Sequence, residues 1–556
     1  MIGQRIHAAA FLAILVLVGP RPVPGCDHGS GPPPPTGPPA TLVQGLGDLH
    51  HPIATTSPEA QRFFDQGLRY LYAFNHDEAV RSFTRAAELD PKAPMPAWGV
   101  ALALGPNINL DVDPEREKAA FAAAQRARTL AAGGREEERA YVDALAARYS
   151  DDPAADLNAL ARKYADAMRT VATRYPDDLD AATLFAESMM DLHPWQLWSA
   201  DGKPAEGTEE IVATLAGVLR RDPRHLGANH YFIHAVEASP FPERALPSAE
   251  RLPALAPGAG HLVHMPAHVY MRTGDYPAAA RANLAAAEVD RAYLRLTHPD
   301  GIYPALYNTH NLHFLTAAQG MAGQSAAAAR AATTLAVQVK TIDPGSPMAP
   351  LGEYFVPTPL FAALRFQRWD AVLKAPAPDK RFPGATALWH FARGLAFTGT
   401  GASQHAAEER IAFDAARRVV PVESIYNLNR MDDVLAVADA VLAARMAAAT
   451  GDGTAAVAAW RRAVEREDAL AYDEPPAWYY PVRESLGAAL CTAGDPADGE
   501  AVFRDDLARN PRNGRSLFGL AQALRAQGKT AAADEVERQF LAAWSTADVK
   551  LKLSEL

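Results

Sequence analysis

Two histidine pairs set the period of this chain. His230 and His234 lie four residues apart, His264 and His268 lie four apart, and each follows its counterpart by 34 residues. A 34-residue period is that of a helix–turn–helix hairpin stacked on copies of itself. The two pairs therefore fall at equivalent places on neighbouring hairpins. This constrains the fold to helices and marks residues 229–276 as the place to look for a site.

The hairpin pattern is clearest from Ala60 to Pro91, where Phe63, Gly67, Tyr70, Ala79, Phe83, Ala86 and Pro91 recur at fixed spacing. Gly67 and Ala79 are small where two helices cross closely. Phe63, Tyr70 and Phe83 fill the space between hairpins, and Pro91 ends one unit. Weaker units cover Trp389 to Arg418 and Val437 to Val464. Gly487, Gly494, Phe503 and Pro511 mark a later one, and Arg512 to Trp544 form a more polar unit suited to capping a solenoid. No stretch alternates with the period of a strand.

These residues resemble the tetratricopeptide repeat pattern over roughly residues 58–545. The resemblance implies an all-α solenoid, a right-handed superhelix of helix–turn–helix hairpins. Three segments, ANHYFIHAVEAS, GAGHLVHMPAHVYMR and YDEPPAWYYPVR, are similar to parts of a group of exported, His-rich bacterial repeat proteins of unsettled activity. Members often carry a cysteine pair just before the place of Trp98-Gly99. Here that place reads Ala93-Pro94-Met95-Pro96.

The 556 residues carry a net charge of −11 and no Lys/Arg run, which speaks against a nucleic-acid partner. No Walker-type loop, GxSxG or HExxH is present. Cys26 and Cys491 are the only cysteines, too few for a disulfide framework or a cysteine zinc site. Arg5 followed by the apolar run Ala8 to Val18 reads as an export signal, residues 1–25. Val23-Pro24-Gly25-Cys26 resembles a lipobox, although Pro24 and the upstream Arg21 depart from the pattern. It predicts a periplasmic or cell-surface protein, with lipid anchoring through Cys26 as the membrane attachment. Residues 26–57 read as a Pro/Gly-rich tether, 58–545 as the solenoid with insertions near 193–208 and 294–304, and 546–556 as a C-terminal tail.

Ten of the 17 histidines fall between His193 and His313. Phased by the turns, one first helix carries His230, His234 and Glu237, and the next carries His261, His264 and His268. At ~100° per residue each triplet spans an arc of about 60°. Glu187 on the preceding first helix, and His310 and His313 on the following one, fall on the same face. This face is expected to line a concave groove. An i, i+4 histidine pair plus a ligand from a neighbouring helix suits a divalent transition metal, and imidazole with carboxylate suits Zn, Cu or Fe. Pro266 interrupts this helix between His264 and His268, so either the helix bends or it starts near Met265.

The insertions bring His193, Trp195 and Trp198 on one side and Tyr303 and Tyr307 on the other, as candidate lid or groove residues. Three functions remain open. The first is an exported binding protein that holds a metal, or a metal-free scaffold with a peptide or protein partner in the groove. The second is a metal-dependent enzyme, hydrolytic or redox, with Glu237 or Glu187 as base and Tyr303 or His310 positioning substrate. The third is metal storage or sensing.

Overall fold

The structure, a computed structural model, describes residues 39–299, 302–342 and 348–556. The export signal, Cys26 and the start of the tether lie outside the described residues. The chain is an all-α solenoid of tetratricopeptide-type hairpins, with one two-residue antiparallel pair, Ile425–Tyr426 against Asn429–Arg430, as its strand content among the described residues.

Small residues sit where the pattern demands them. A Cβ on Gly67 would stand 2.6 Å from the Phe83 ring, and one on Gly99 would stand 2.5 Å from it. Phe83, on the helix His76–Leu89, is thus clamped between the helices on either side of it in the chain, Pro58–Leu71 and Pro94–Leu104. The device recurs near the other end, where Phe503 fills the space left by Gly487 and Gly519. Helix starts are capped by side chains: Ser57, Asn75, Asp156, Asp178 and Asp275 each accept a backbone N–H in the first turn.

The superhelix curls until distant hairpins touch. Tyr72 donates its hydroxyl to Asp180 at 2.7 Å, and Tyr293 donates to Glu78 at 3.1 Å, so the first hairpin packs on the middle of the chain. From the other end, Tyr276 donates to the Pro511 carbonyl at 3.0 Å. Arg365 and Arg515 both reach the buried Glu484 carboxylate, at 2.5 and 2.9 Å, which ties the repeats around residues 365 and 484–515 together.

Three boundaries differ from the sequence reading. Residues 39–57 are not a free tether. Val43 N–H donates to Gln66 at 2.7 Å, Ile53 N–H donates to Gln61 at 2.9 Å, and Leu46 and Ile53 are buried. Their physical reason is polar satisfaction: Asp65, Gln66 and Asp180 are buried and need donors, and this strap supplies them. The expected tail is also packed. Asp548 accepts the Ser325 and Ala326 N–H groups at 2.7 and 2.9 Å, capping the helix Ser325–Val339. The helix Tyr276–Thr297 runs four residues into the expected second insertion.

His51 shows what the N-terminal strap contributes. Burial alone would depress its imidazole, but the hydrogen bond and charge of Asp180, 2.8 Å away, outweigh burial and hold it above its ordinary value. The stabilisation from that shift is fully present below about pH 6.5 and is lost as pH rises through the raised folded value. Urea denaturation at about pH 6 and about pH 9 should therefore show His51→Ala losing more stability at the lower pH; a deficit that grows with pH would contradict the pairing.

Candidate metal centre

The helix Leu226–Glu237 is buried on every side, yet it carries Asn229, His230, His234 and Glu237. Buried polar groups need partners, and these find them on three neighbouring elements. The next first helix is broken at Pro266 into Gly260–His264 and Pro266–Thr273, joined through Met265 in helical backbone. Met265 N–H still donates to His261 O at 3.1 Å. The helix bends without changing face, so His261, His264 and His268 stay together. Asn308–Met321, entered through a π-helical turn at Tyr303–Tyr307, brings His310.

The imidazoles form two triads, His230–His234–His261 and His264–His268–His310. In the first, His230 Nε2 lies 3.1 Å from His234 Nε2 and 3.1 Å from His261 Nε2. In the second, His264 Nε2 lies 2.8 Å from His268 Nε2 and 3.1 Å from His310 Nε2. Five of the six are almost fully buried, and His310 is half-buried.

The opposite ring nitrogens decide the tautomers. His230 Nδ1–H donates to the Tyr72 carbonyl at 2.7 Å. His264 Nδ1–H donates to Asn283 Oδ1 at 2.6 Å, and Asn283 is oriented by its own Nδ2–H donation to Ala279 O at 2.9 Å. His234 and His268 direct Nδ1 at the two oxygens of one carboxylate, Glu237, at 2.9 and 2.5 Å. Four Nδ1 atoms thus carry protons, which leaves the Nε2 atoms of His230, His234 and His264 as lone-pair donors, and that of His268 once its ring is neutral. A neutral imidazole nitrogen has one lone pair, but His230 Nε2 and His264 Nε2 each face two nitrogens. Protons cannot satisfy both neighbours of each. A cation centred among the three can. Two nitrogens bound at ~2.0–2.1 Å and at right angles lie about 2.9 Å apart, which matches these separations.

Electrostatics favour neutral ligands. Burial pushes His230, His261, His264 and His310 well below the ordinary imidazole value, and neighbouring histidines add to the effect. Burial also lowers His234. His268 is the exception: burial pulls it down, but Glu237 outweighs burial and raises it. Glu237 would itself be raised by burial, but His268 and His234 hold it down, to about 2. Two phenyl rings wall the triads off from solvent. Phe74 lies 4.6, 5.8 and 5.5 Å from His230, His234 and His261. Phe314 lies 5.1, 4.9 and 5.5 Å from His264, His268 and His310.

The remaining predicted site residues are placed as follows. Glu187 does not join the triads. It is buried with Asp191, a carboxyl that Arg148 contacts at 2.6 Å, and burial beside that second carboxyl raises it well above its ordinary value. The fully buried character of the helix explains the error: every side of Leu179–Met190 faces protein, so shared phase does not mean shared site. His313 also turns away, packing edge-on to Tyr354 at 5.1 Å, and burial lowers it to about 4. Trp195 stands 5.9 Å from His234, His193 lines the same cleft, and Trp198 Nε1–H donates to Ala235 O at 2.8 Å. Tyr307 lies 5.0 Å from His261, whereas Tyr303 donates to Asp290 at 2.9 Å and meets His261 through that residue's backbone. The histidine face is a buried core rather than an open groove, so a peptide laid along the solenoid would not touch it.

Four residues escaped the sequence reading. Tyr72 and Phe74 lie at the turn after the helix Pro58–Leu71 and Asn283 within the helix Tyr276–Thr297, and they reveal their part only through the curl of the chain. Glu474 belongs to the aromatic segment YDEPPAWYYPVR and reaches Glu237 and His268, where their ligand atoms form a third cluster. Burial raises its carboxyl to about 7.

No protein-family model and no curated protein matches this chain. Among solved structures it is similar to human IFIT1, solved as a dimer with m7Gppp-AAAA, at 12% identity over 88% of this chain and 91% of that one, TM-score 0.32. It is also similar to yeast Tom70, at 12% identity over 86% of this chain and 96% of that one, TM-score 0.30. Scores of this size assign no ligand and no residue.

Glu237 neutralises His268 and orients two rings, so Glu237→Ala strands a buried charge. The metal-free variant should lose about 3 kcal/mol in urea denaturation, the scale of a broken buried ion pair. A loss below about 1 kcal/mol, the range of an exposed pair, would show that the Glu237 contacts are not formed.

Proposed function

We propose that this chain is a metalloprotein whose two histidine triads each bind one transition-metal ion, giving a dinuclear centre at the core of the solenoid. The convergence of Nε2 atoms, with four of the six Nδ1 atoms facing protein acceptors, carries the reading. Metal-ligating histidines ordinarily donate the other ring N–H to a carboxylate or carbonyl, and this second shell sets tautomer and basicity. Tyr72 O, Asn283 and Glu237 fill that part here. The donor set is imidazole without thiolate, which suits copper, zinc or iron over magnesium or calcium.

Three protein ligands per ion leave coordination positions open, the arrangement of a catalytic rather than a structural site. We therefore favour a metal-dependent enzyme over storage. Ions held there would supply Lewis acidity, or electron transfer in the case of copper or iron. The protein's own share is to hold five neutral imidazoles and His268 in place, to compensate cationic charge through Glu237, and to keep bulk water out with Phe74 and Phe314. Glu474, next to Glu237 and His268, is the carboxyl placed to take or give a proton near the centre. Export by the N-terminal segment, with a lipid on Cys26, belongs to the same proposal and is checked by the mass of the mature N-terminus.

Elemental analysis of the full-length chain, purified without a polyhistidine tag, should give about two ions per chain when both triads are filled. His230→Ala and His264→Ala, if folded by circular dichroism, should each lose about one ion, while His313→Ala keeps both. A wild-type chain that takes up no zinc, copper or iron would overturn the reading.

A further inference from the structure

The insertion between the helices Leu179–Met190 and Thr208–Arg221 forms a strap over one side of the histidine core. It is internally tied: Ser199 N–H donates to Lys203 O at 2.9 Å, and Ala205 N–H donates to Leu197 O at 2.9 Å. Trp198 fastens it to the histidine-bearing helix through the Ala235 carbonyl. Within it, Trp195 has φ of 60°. A bulky L-residue holds that left-handed conformation only where its surroundings impose it, and such strain gathers at functional sites. The Trp195 ring stands edge-on to His234 at 81°.

Beneath the ring lies a cleft of about 20 Å³. One water needs ~10–15 Å³ on the same scale, so the space suits a molecule of one to three heavy atoms and is too small for a ring. His193 and Trp195 line it from the strap, His234 and Glu237 from the core, and Tyr472 from the segment that also carries Glu474. Tyr472 is held in place by Arg272, whose guanidinium lies 5.7 Å from its ring. A larger cleft of about 270 Å³, lined by Asp48, His50 and Arg224, touches neither triad.

We propose that the cleft under Trp195 is the access port of the histidine core and that Trp195 is its size filter. The substrate class this assigns is a water-sized molecule: water, dioxygen or a small anion. The port brings such a molecule against His234 and Glu237, between the strap and the segment of Tyr472, which converge there from distant parts of the chain. The substrate assignment rests on the metal reading, whereas the port itself is tested without metal.

The test uses full-length wild type, Trp195→Gly and Trp195→Asn. Glycine and asparagine both accept the left-handed backbone, so these substitutions remove the ring without adding strain, and circular dichroism checks the fold. Metal-free protein is treated with diethyl pyrocarbonate, and modified histidines are mapped by mass spectrometry. His234 should react at least about 10-fold faster in both variants, while exposed His405 on the far helix Ser403–Arg418 reacts at the same rate in all three. Equal His234 rates in wild type and both variants would overturn the port. In copper-loaded protein, azide should give a charge-transfer absorption in all three, and the bulkier benzohydroxamate should perturb the copper spectrum only in the variants. Binding of benzohydroxamate to wild type would overturn the size filter. Faster His234 labelling in a protein that takes up no zinc, copper or iron would support the port and overturn the metal reading instead.

Discussion

One carboxylate organises the centre of this molecule. Glu237 ends the helix Leu226–Glu237 and gives an oxygen to each of two imidazoles on different hairpins, His234 and His268. Burying a carboxylate is expensive, and the cost is tolerated only when the charge is paired and its lone pairs are used. Glu237 meets both conditions by drawing two Nδ1–H groups onto itself. That choice orients both rings, and their Nε2 atoms then have to point away from it, toward the other members of each triad. The same contact joins one repeat to the next.

The repeat explains why there are two triads. Each is an i, i+4 histidine pair from one hairpin completed by one imidazole from the following hairpin: His230 and His234 with His261, and His264 and His268 with His310. The pairs obey the 34-residue period. The completing residues do not, since His310 follows His261 by 49. The long helix Tyr276–Thr297 and the connection after it account for the excess, and the π-helical turn at Tyr303–Tyr307 leads back into the helix that carries His310. A near-symmetric pair of sites is thus built from repeated sequence plus one local departure from the repeat.

The sequence made the solenoid legible because its signals are local. Gly67 against Phe83 and Gly487 against Phe503 are hairpin contacts, written within 16 residues of each other. The histidine pairs were legible for the same reason, and helical phase placed all six triad residues on the shared face. Phase failed where a helix is buried all round. Glu187 shares the phase of its neighbours but sits with Asp191 and Arg148, because Leu179–Met190 has protein on every side. The curl of the superhelix was not legible at all. Tyr72 and Phe74 precede His230 by more than 150 residues, and no periodicity connects them. The strap at residues 39–57 was misread for a related reason: composition near the prolines suggests an extended tether, while the buried Asp65, Gln66 and Asp180 that draw the strap in lie elsewhere in the chain.

Curling also changes what kind of site a repeat protein can hold. An open solenoid offers one long surface, and polar residues along it meet water. Here the first hairpin closes over His230 with Phe74, and the segment around Tyr472 and Glu474 closes over His268 from the other direction. Water that would have solvated six imidazoles is replaced by phenyl rings, one backbone carbonyl, one amide and one carboxylate. Burial then depresses five of the six imidazoles, and the charge of Glu237 supports the sixth. The five depressed imidazoles bind a cation without first having to lose protons, while His268 must give one up, and the preorganised rings cost little further entropy. The polar core is therefore a structural liability that a bound cation would relieve, and this couples the stability of the curled form to occupation of the triads.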